Sequence, residues 1–398
     1  DTEIKPFTSI GVIGAGTMGG GISMNFANVG IPVTIIEQSQ ERLDKGLGII
    51  RKNYENTANK GRITFEDVEK RTKLINGSTD INDLSNCDLI IEAVFENMDL
   101  KKDIFKTLDG IAKKGAILAT NTSALDVNEI AEVTSRPEDV IGLHFFSPAN
   151  VMRLLEIVRG EKTSKSVVAT SMKMAKNIGK VAAVVGVCPG FVGNRILAQR
   201  QREANKLILE GAMPWEVDDA LFNFGFPMGP FAMSDLAGLD IGWDEDLSTG
   251  DTLRDKLCEA GRLGQKTGKG FYIYDENRNK SPDEEVEKLI IEFSEKHQIK
   301  RREISKEEIL ERCLYPMINE GFKILEEGMA IRASDIDIVW INGYGWPIYE
   351  GGPMFYGQLI GYEKILKWHK EMEEKFGPDF APSPYLEKVV NEKINLFG

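Results

Sequence analysis

The chain has 398 residues, 42% of them hydrophobic and 28% charged, with a formal net charge of −13. These values belong to a globular protein of more than one domain and exclude a disordered or fibrous chain. The acidic balance argues against broad contact with nucleic acid or an anionic membrane. No apolar run reaches membrane-spanning length. The four cysteines (Cys87, Cys188, Cys258, Cys313) are scattered with no CxxC pair, so they read as reduced thiols and no metal is expected. The first residues, 1-DTEIKPFTSI-10, lack a signal-peptide pattern and read as beginning inside a longer chain, and no Ser-Lys-Leu address ends the sequence.

An apolar run, 10-IGVIGAG-16, passes into 17-TMGGGISMNFANVG-30 with helical spacing, and 32-PVTIIE-37 follows as a second β-rich run, giving strand, helix, strand. Residues 41 to 72 read as a polar helical hairpin. Buried strands recur at 88-DLIIEAV-94, 116-AILATNTS-123 and 140-VIGLHFF-146, with helical stretches at 98–108 and 124–133 between them, and 181-VAAVVGV-187 reads as another. Alternation of this kind predicts an α/β Rossmann-type domain, a parallel sheet covered on both faces, over residues 1–187.

From Gly190 onward the pattern is helical. It holds an internal repeat: 204–238 and 318–361 share Leu-Glu-Gly against Leu-Glu-Glu-Gly, Val-Asp against Ile-Asp, Gly-Phe-Pro against Gly-Trp-Pro, and a later Gly-Pro. Two all-α copies are therefore expected, over 188–290 and 291–398, joined by a turn at 264–275 and a charged linker at 276–288.

Gly14-x-Gly16-x-x-Gly19 follows an apolar strand and opens a helix, and Glu37 ends the next strand. In that setting Gly14 allows the tight turn, Gly16 lets backbone N–H groups approach a pyrophosphate, and Gly19 allows close packing of helix on strand. Glu37 would accept from the ribose hydroxyls and repel a 2′-phosphate, which favours NAD over NADP; FAD uses a similar fingerprint.

His144 is one of three histidines. A histidine in an apolar strand is more often a core residue, but Glu156 lies in the apolar stretch 152-MRLLEIVRG-160, where an unpaired carboxylate is costly and a partner is expected. A carboxylate on one imidazole nitrogen makes the other a proton acceptor, which alcohol oxidation requires. Ser123, read as closing its strand, and His144 would face the cofactor crevice beyond the carboxyl ends of the strands. Asn194, in 189-PGFVGNRI-196, is expected to begin the long helix after the first domain, with its amide directed toward the same crevice.

The segments 12-VIGAGTMG-19, 92-EAVFEN-97, 121-NTSAL-125, 144-HFFSP-148, 189-PGFVGNR-195 and 227-PMGPF-231 resemble, in order, the L-3-hydroxyacyl-CoA dehydrogenases of fatty-acid β-oxidation. The later 306–330, 342-NGYGWP-347 and 350-EGGPMFY-356 resemble the C-terminal end of multifunctional members of that family. The resemblance implies NAD as cofactor, contacted by Gly14, Gly16, Thr17, Met18, Gly19 and Glu37, with Glu96, Lys101 and Asn121 around the nicotinamide and its ribose. It implies His144 as general base, Glu156 as its orienting carboxylate, and Ser123 and Asn194 as hydrogen-bonding partners of the reacting oxygen and thioester. It further implies an acyl-CoA substrate, a peroxisomal setting, fusion to an enoyl-CoA hydratase/isomerase half, and a monomer whose second helical copy occupies a dimer partner's place and does not catalyse. Arg51, Lys52, Lys60 and Arg62 would meet Coenzyme A phosphates or simply form a solvated face. The competing readings are a hydroxyacid dehydrogenase with a lysine base and a structural, crystallin-like protein on the same fold; the Ser123, His144, Glu156, Asn194 set speaks against both.

Overall fold

A computed structural model describes Thr2–Phe397. The chain forms two compact units: the first holds the residues up to Arg195 together with Ile324–Tyr344, and the second holds Ile196–Lys323 with Gly345–Asn395. This division differs from the tripartite one drawn by sequence pattern, because a segment of the second repeat copy groups with the sheet.

In the first unit the strands are β1 (Ile10–Ile13), β2 (Val33–Ile36), β3 (Ile75–Ser78), β4 (Leu89–Glu92), β5 (Ile117–Thr120), β6 (Val140–Phe145), β7 (Leu154–Arg159) and β8 (Val181–Gly186). They form one sheet in the order β3-β2-β1-β4-β5-β6-β7-β8. The helices are α1 (Thr17–Asn28), α2 (Gln40–Asn59), α3 (Phe65–Thr72), α4 (Met98–Ile111), α5 (Val127–Glu132) and α6 (Lys165–Asn177). The expected parallel sheet is present from β3 to β6, but β7 runs antiparallel to β6, with His144 directly opposite Glu156. Strands β1, β4, β5 and β6 are buried at every position. That is why they read as predominantly apolar runs, each buried Val, Ile or Leu contributing about 2 kcal/mol.

Helix α1 approaches the sheet closely because its first turns are glycine. A Cβ on Gly19 would lie 1.8 Å from the Gly14 carbonyl oxygen, and one on Gly21 would lie 3.1 Å from Ala149. The conformational cost of glycine in a helix, about 1 kcal/mol each, is offset by that packing. Ser39 caps α2, and a reciprocal Thr64–Asp67 capping box starts α3, giving the expected hairpin.

The second unit is built on α7 (Gly193–Glu210, from Ile196 onward), α8 (Pro214–Phe224), α9 (Pro230–Ala237), α10 (Leu253–Glu259), a small β9–β10 ribbon (Ile273–Tyr274 and Lys280–Ser281), α11 (Glu284–Lys296) and α12 (Lys306–Glu326, up to Lys323). After α13 (Ala333–Gly343), which belongs to the first unit, come α14 (Pro353–Ile360), α15 (Tyr362–Phe376) and α16 (Pro384–Glu392). The expected charged linker at 276–288 is instead structured: Asp283 caps α11 and pairs with the buried Arg262. Within this unit the two repeat copies meet through their matched turns, Phe224 and Phe226 packing edge-on against Trp346. The buried Arg312 of one copy donates to Glu203 and Glu210 of the other.

Candidate active site

The turn after β1 is made by Gly14, whose φ of 102° is open to glycine and strained for other residues. A Cβ there would also lie 2.6 Å from the Ala93 carbonyl oxygen. Gly16 is different: its backbone is extended, and a Cβ would meet nothing within 4 Å. It borders open space at the N-terminus of α1, where the first-turn N–H groups of Thr17 and Met18 have no intrahelical acceptor and the turn carries no acidic side chain. One residue past β2, Glu37 accepts from the N–H of Ala15 at 3.0 Å and of Gln38 at 2.8 Å, which fixes its carboxylate beside the glycine loop. A dinucleotide fits this arrangement: pyrophosphate at the helix start, ribose at Glu37.

Beyond β4 and β5 a second constellation forms. Glu96 accepts from the Thr122 hydroxyl at 2.6 Å, from the Ser123 N–H at 2.8 Å and from the Ser123 hydroxyl at 3.2 Å. Partial burial pushes its carboxyl up, but those donors and the Lys101 charge outweigh that and hold it below its ordinary range. Ser123 lies three residues past the end of β5 and does not close the strand as the sequence suggested; Glu96 shapes the turn it sits in. Lys101 is buried, with its ammonium 2.6 Å from Glu92 and 3.5 Å from Glu96. Glu92, fully buried at the end of β4, also accepts from the Thr120 hydroxyl at 2.7 Å. Asn121 accepts from the Phe145 N–H at 2.9 Å, linking this turn to the end of β6.

The third group is centred on His144. Its Nδ1 is 2.7 Å from Glu156 Oε2, and both side chains are buried. The carboxylate can only accept, so Nδ1 carries the hydrogen and Nε2 the free lone pair. The other Glu156 oxygen accepts from the Gly193 N–H at 2.9 Å. Gly193 and Asn194 open α7, and the chain reaches them through Gly190 and Phe191, both in the left-handed region with φ of 73° and 51°. For a buried phenylalanine that conformation stores about 1 to 3 kcal/mol and persists because its surroundings over-determine it. Phe191 and Phe146 pack on the imidazole with ring centroids 5.7 and 4.3 Å away.

The loop joining β6 to β7 is held by Lys180, whose ammonium donates to the carbonyls of Ala149 and Met152 at 2.6 Å each; burial lowers that amine to about 8. Asn194 Oδ1 accepts from the hydroxyl of Tyr344 at 2.8 Å.

The catalytic and cofactor-binding residues expected from sequence all lie in the first unit, at or beside these three groups. Three contributors went unread: Glu92, Phe191 and Tyr344. Glu92 ends an apolar strand as Glu37 does, and that parallel was a usable signal. Arg51, offered for Coenzyme A phosphates or a solvated face, is paired with Glu55 and Glu69, and Lys52, Lys60 and Arg62 are exposed.

Fold and site together define a Rossmann-type dinucleotide-binding protein with a histidine–carboxylate pair at the carboxyl end of its sheet. The NAD-binding domain of 3-hydroxyacyl-CoA dehydrogenase matches residues 9–188, and the C-terminal domain of 3-hydroxyacyl-CoA dehydrogenase matches residues 190–274 and 309–395. The chain belongs to the 3-hydroxyacyl-CoA dehydrogenase family. It is 44% identical over 98% of its length to the peroxisomal bifunctional enzymes of Cavia porcellus and Homo sapiens, and spans 57% of the length of each. Among solved structures it is similar to the dehydrogenase part of multifunctional enzyme 1 from C. elegans (34% identity, TM-score 0.72, covering 98% of this chain and 90% of that one). It is also similar to 3-hydroxybutyryl-CoA dehydrogenase from Escherichia coli K12 (25% identity, TM-score 0.82, covering 98% and 99%).

Proposed function

We propose that this chain oxidises the hydroxyl of an L-3-hydroxyacyl-CoA to the 3-keto thioester. The observation that carries the reading is the buried His144–Glu156 pair, 2.7 Å apart across the β6–β7 register. His144 Nε2 takes the hydroxyl proton, and the Glu156 carboxylate stabilises the imidazolium that results, a contribution of about 10²- to 10⁴-fold for general base catalysis. NAD, when bound, supplies the hydride acceptor. Gly14, Gly16, Thr17, Met18, Gly19 and Glu37 hold its pyrophosphate and adenosine ribose, and Glu96, Lys101 and Asn121 serve the nicotinamide end. The Ser123 hydroxyl and the Asn194 amide orient the reacting oxygen and the thioester.

The second helical copy stands where a dimer partner would, which makes the chain monomeric. The relatives' greater length and peroxisomal names support a hydratase-type half joined to this one and a peroxisomal setting. The test is NADH formation from NAD with L-3-hydroxybutyryl-CoA and its D isomer. Turnover of the L isomer alone is expected; equal rates for both, or none, overturn the reading. Sedimentation of a single 44.4 kDa species checks the oligomeric state.

A further inference from the structure

Residues 324–344 of the second helical copy belong to the same compact unit as the sheet. The main chain there joins β8: the Gly186 N–H donates to the Met329 carbonyl at 2.8 Å, and Val185 bridges Ala330. Helix α13 then leads to Tyr344, whose ring stacks on Trp340 at 4.6 Å and packs edge-on against Phe146 at 5.4 Å. Phe146 in turn lies on His144. A Cβ on Gly193 would strike the Tyr344 ring at 2.4 Å, so the residue that donates to Glu156 must be glycine because the tyrosine is there. The preceding copy has Phe224 at the matching place, in Asn-Phe-Gly-Phe-Pro against Asn-Gly-Tyr-Gly-Trp-Pro, so the hydroxyl is the feature that the second copy adds.

We infer that Tyr344 is a positioning residue for the dehydrogenase site: its hydroxyl, bonded to Asn194 Oδ1, holds the Asn194 amide with Nδ2 free to act as donor toward a substrate oxygen. A side-chain amide can turn over and present either its oxygen or its nitrogen. A phenol donating to Oδ1 selects the orientation in which the NH2 group serves as donor, the role that a developing ketone or thioester oxygen requires. Arg195, next in the chain, is held by Glu327 of the same copy through two bonds of 2.5 and 2.9 Å, so the start of α7 is braced from both sides by this segment. On this inference the second copy supplies a positioning side chain, while the reacting groups stay on the sheet and at the start of α7.

The inference rests on the proposed hydroxyacyl oxidation, and two readouts separate their failures. Tyr344→Phe keeps the ring against Gly193, Phe146 and Trp340 and removes only the hydroxyl. We expect kcat for L-3-hydroxybutyryl-CoA to fall by about 2- to 10-fold, the equivalent of one neutral hydrogen bond, with NADH affinity unchanged. In an Asn194→Ala background the same change has no further effect, because the tyrosine acts through the asparagine. Equal losses in both backgrounds, or no loss in either, overturn the inference. The second readout does not depend on turnover: the side-chain NH2 resonances of Asn194, assigned by their disappearance in Asn194→Ala, are expected to shift and broaden in Tyr344→Phe. Unchanged resonances overturn the positioning role even if the native protein fails to oxidise this substrate, a failure that would count against the proposed function alone.

Discussion

Glu156→Gln tests the pairing on which the chemistry depends. Glu156 uses both oxygens, one for His144 at 2.7 Å and one for the Gly193 N–H at 2.9 Å, and glutamine offers only one acceptor. If the glutamine oxygen stays with Gly193, its NH2 faces Nδ1, which must then become the acceptor, and the hydrogen moves to Nε2, where no proton can be taken. If the amide turns over, Nδ1 keeps its acceptor but the NH2 group confronts the Gly193 N–H at the start of α7, leaving buried donors opposed at about 1–3 kcal/mol. Neither arrangement stabilises an imidazolium. Amide-for-carboxylate replacement behind a catalytic histidine typically lowers kcat by about 10⁴-fold, or roughly 5 kcal/mol of barrier. We expect a fall of about 10³- to 10⁴-fold in NADH formation from L-3-hydroxybutyryl-CoA, with NADH binding by fluorescence unchanged. A variant that keeps its rate within about 10-fold of native would refute the orienting role.

The glycine loop separates packing from ligand approach. Gly19→Ala, with its Cβ on the Gly14 carbonyl, should destabilise the protein by about 3 kcal/mol, whereas Gly16→Ala, opening on empty space, should leave thermal unfolding unchanged and weaken NADH binding by at least about 10-fold. Calorimetry and NADH titration of both variants check this, and equal unfolding temperatures for the two would contradict it. Native protein should prefer NADH over NADPH by about 100-fold in kcat/KM, and Glu37→Ala should narrow that gap about 10-fold; a gap untouched by the substitution removes Glu37 from specificity.

Asp235 accepts from the N–H groups of Phe271 and Tyr272 and from the Tyr274 hydroxyl, yet burial raises its carboxyl from 3.8 to about 6. The folded state therefore holds this proton more tightly than the unfolded one, so the group's contribution is complete below pH about 4 and is lost as pH rises through about 6. That amounts to at most about 3 kcal/mol. Urea unfolding of native protein and Asp235→Asn between pH 4 and 7 should show the native advantage shrinking as pH rises; a growing advantage would reverse the sign.

The strands that read most plainly in sequence are those buried at every position, β1, β4, β5 and β6, because apolar residues dominate them and their polar members, Glu92, Thr120 and His144, are few. Strand β3 escaped notice: only Ile75 of its four residues is buried, so Ile-Asn-Gly-Ser shows neither an apolar run nor alternation. Strand β7 was legible as apolar but not as a strand against β6. Its Glu156 seemed a liability until the register set it opposite His144, and register is a long-range property that no local pattern carries. The glycine fingerprint was readable because backbone geometry demands glycine at Gly14 and Gly19 whatever the ligand. Tyr344 was not readable as a site residue: its position beside Asn194 depends on a later segment returning to the sheet, and only comparison of the two copies shows tyrosine where the first has phenylalanine.

In the proposed chemistry His144 moves the proton. NADH consumption with acetoacetyl-CoA, measured for native protein and His144→Gln alongside NADH binding, tests it most directly. We expect steady turnover in the native protein and a collapse of about 10³-fold or more in the variant with binding intact. Equal turnover in both would return His144 to the core and remove it from proton transfer.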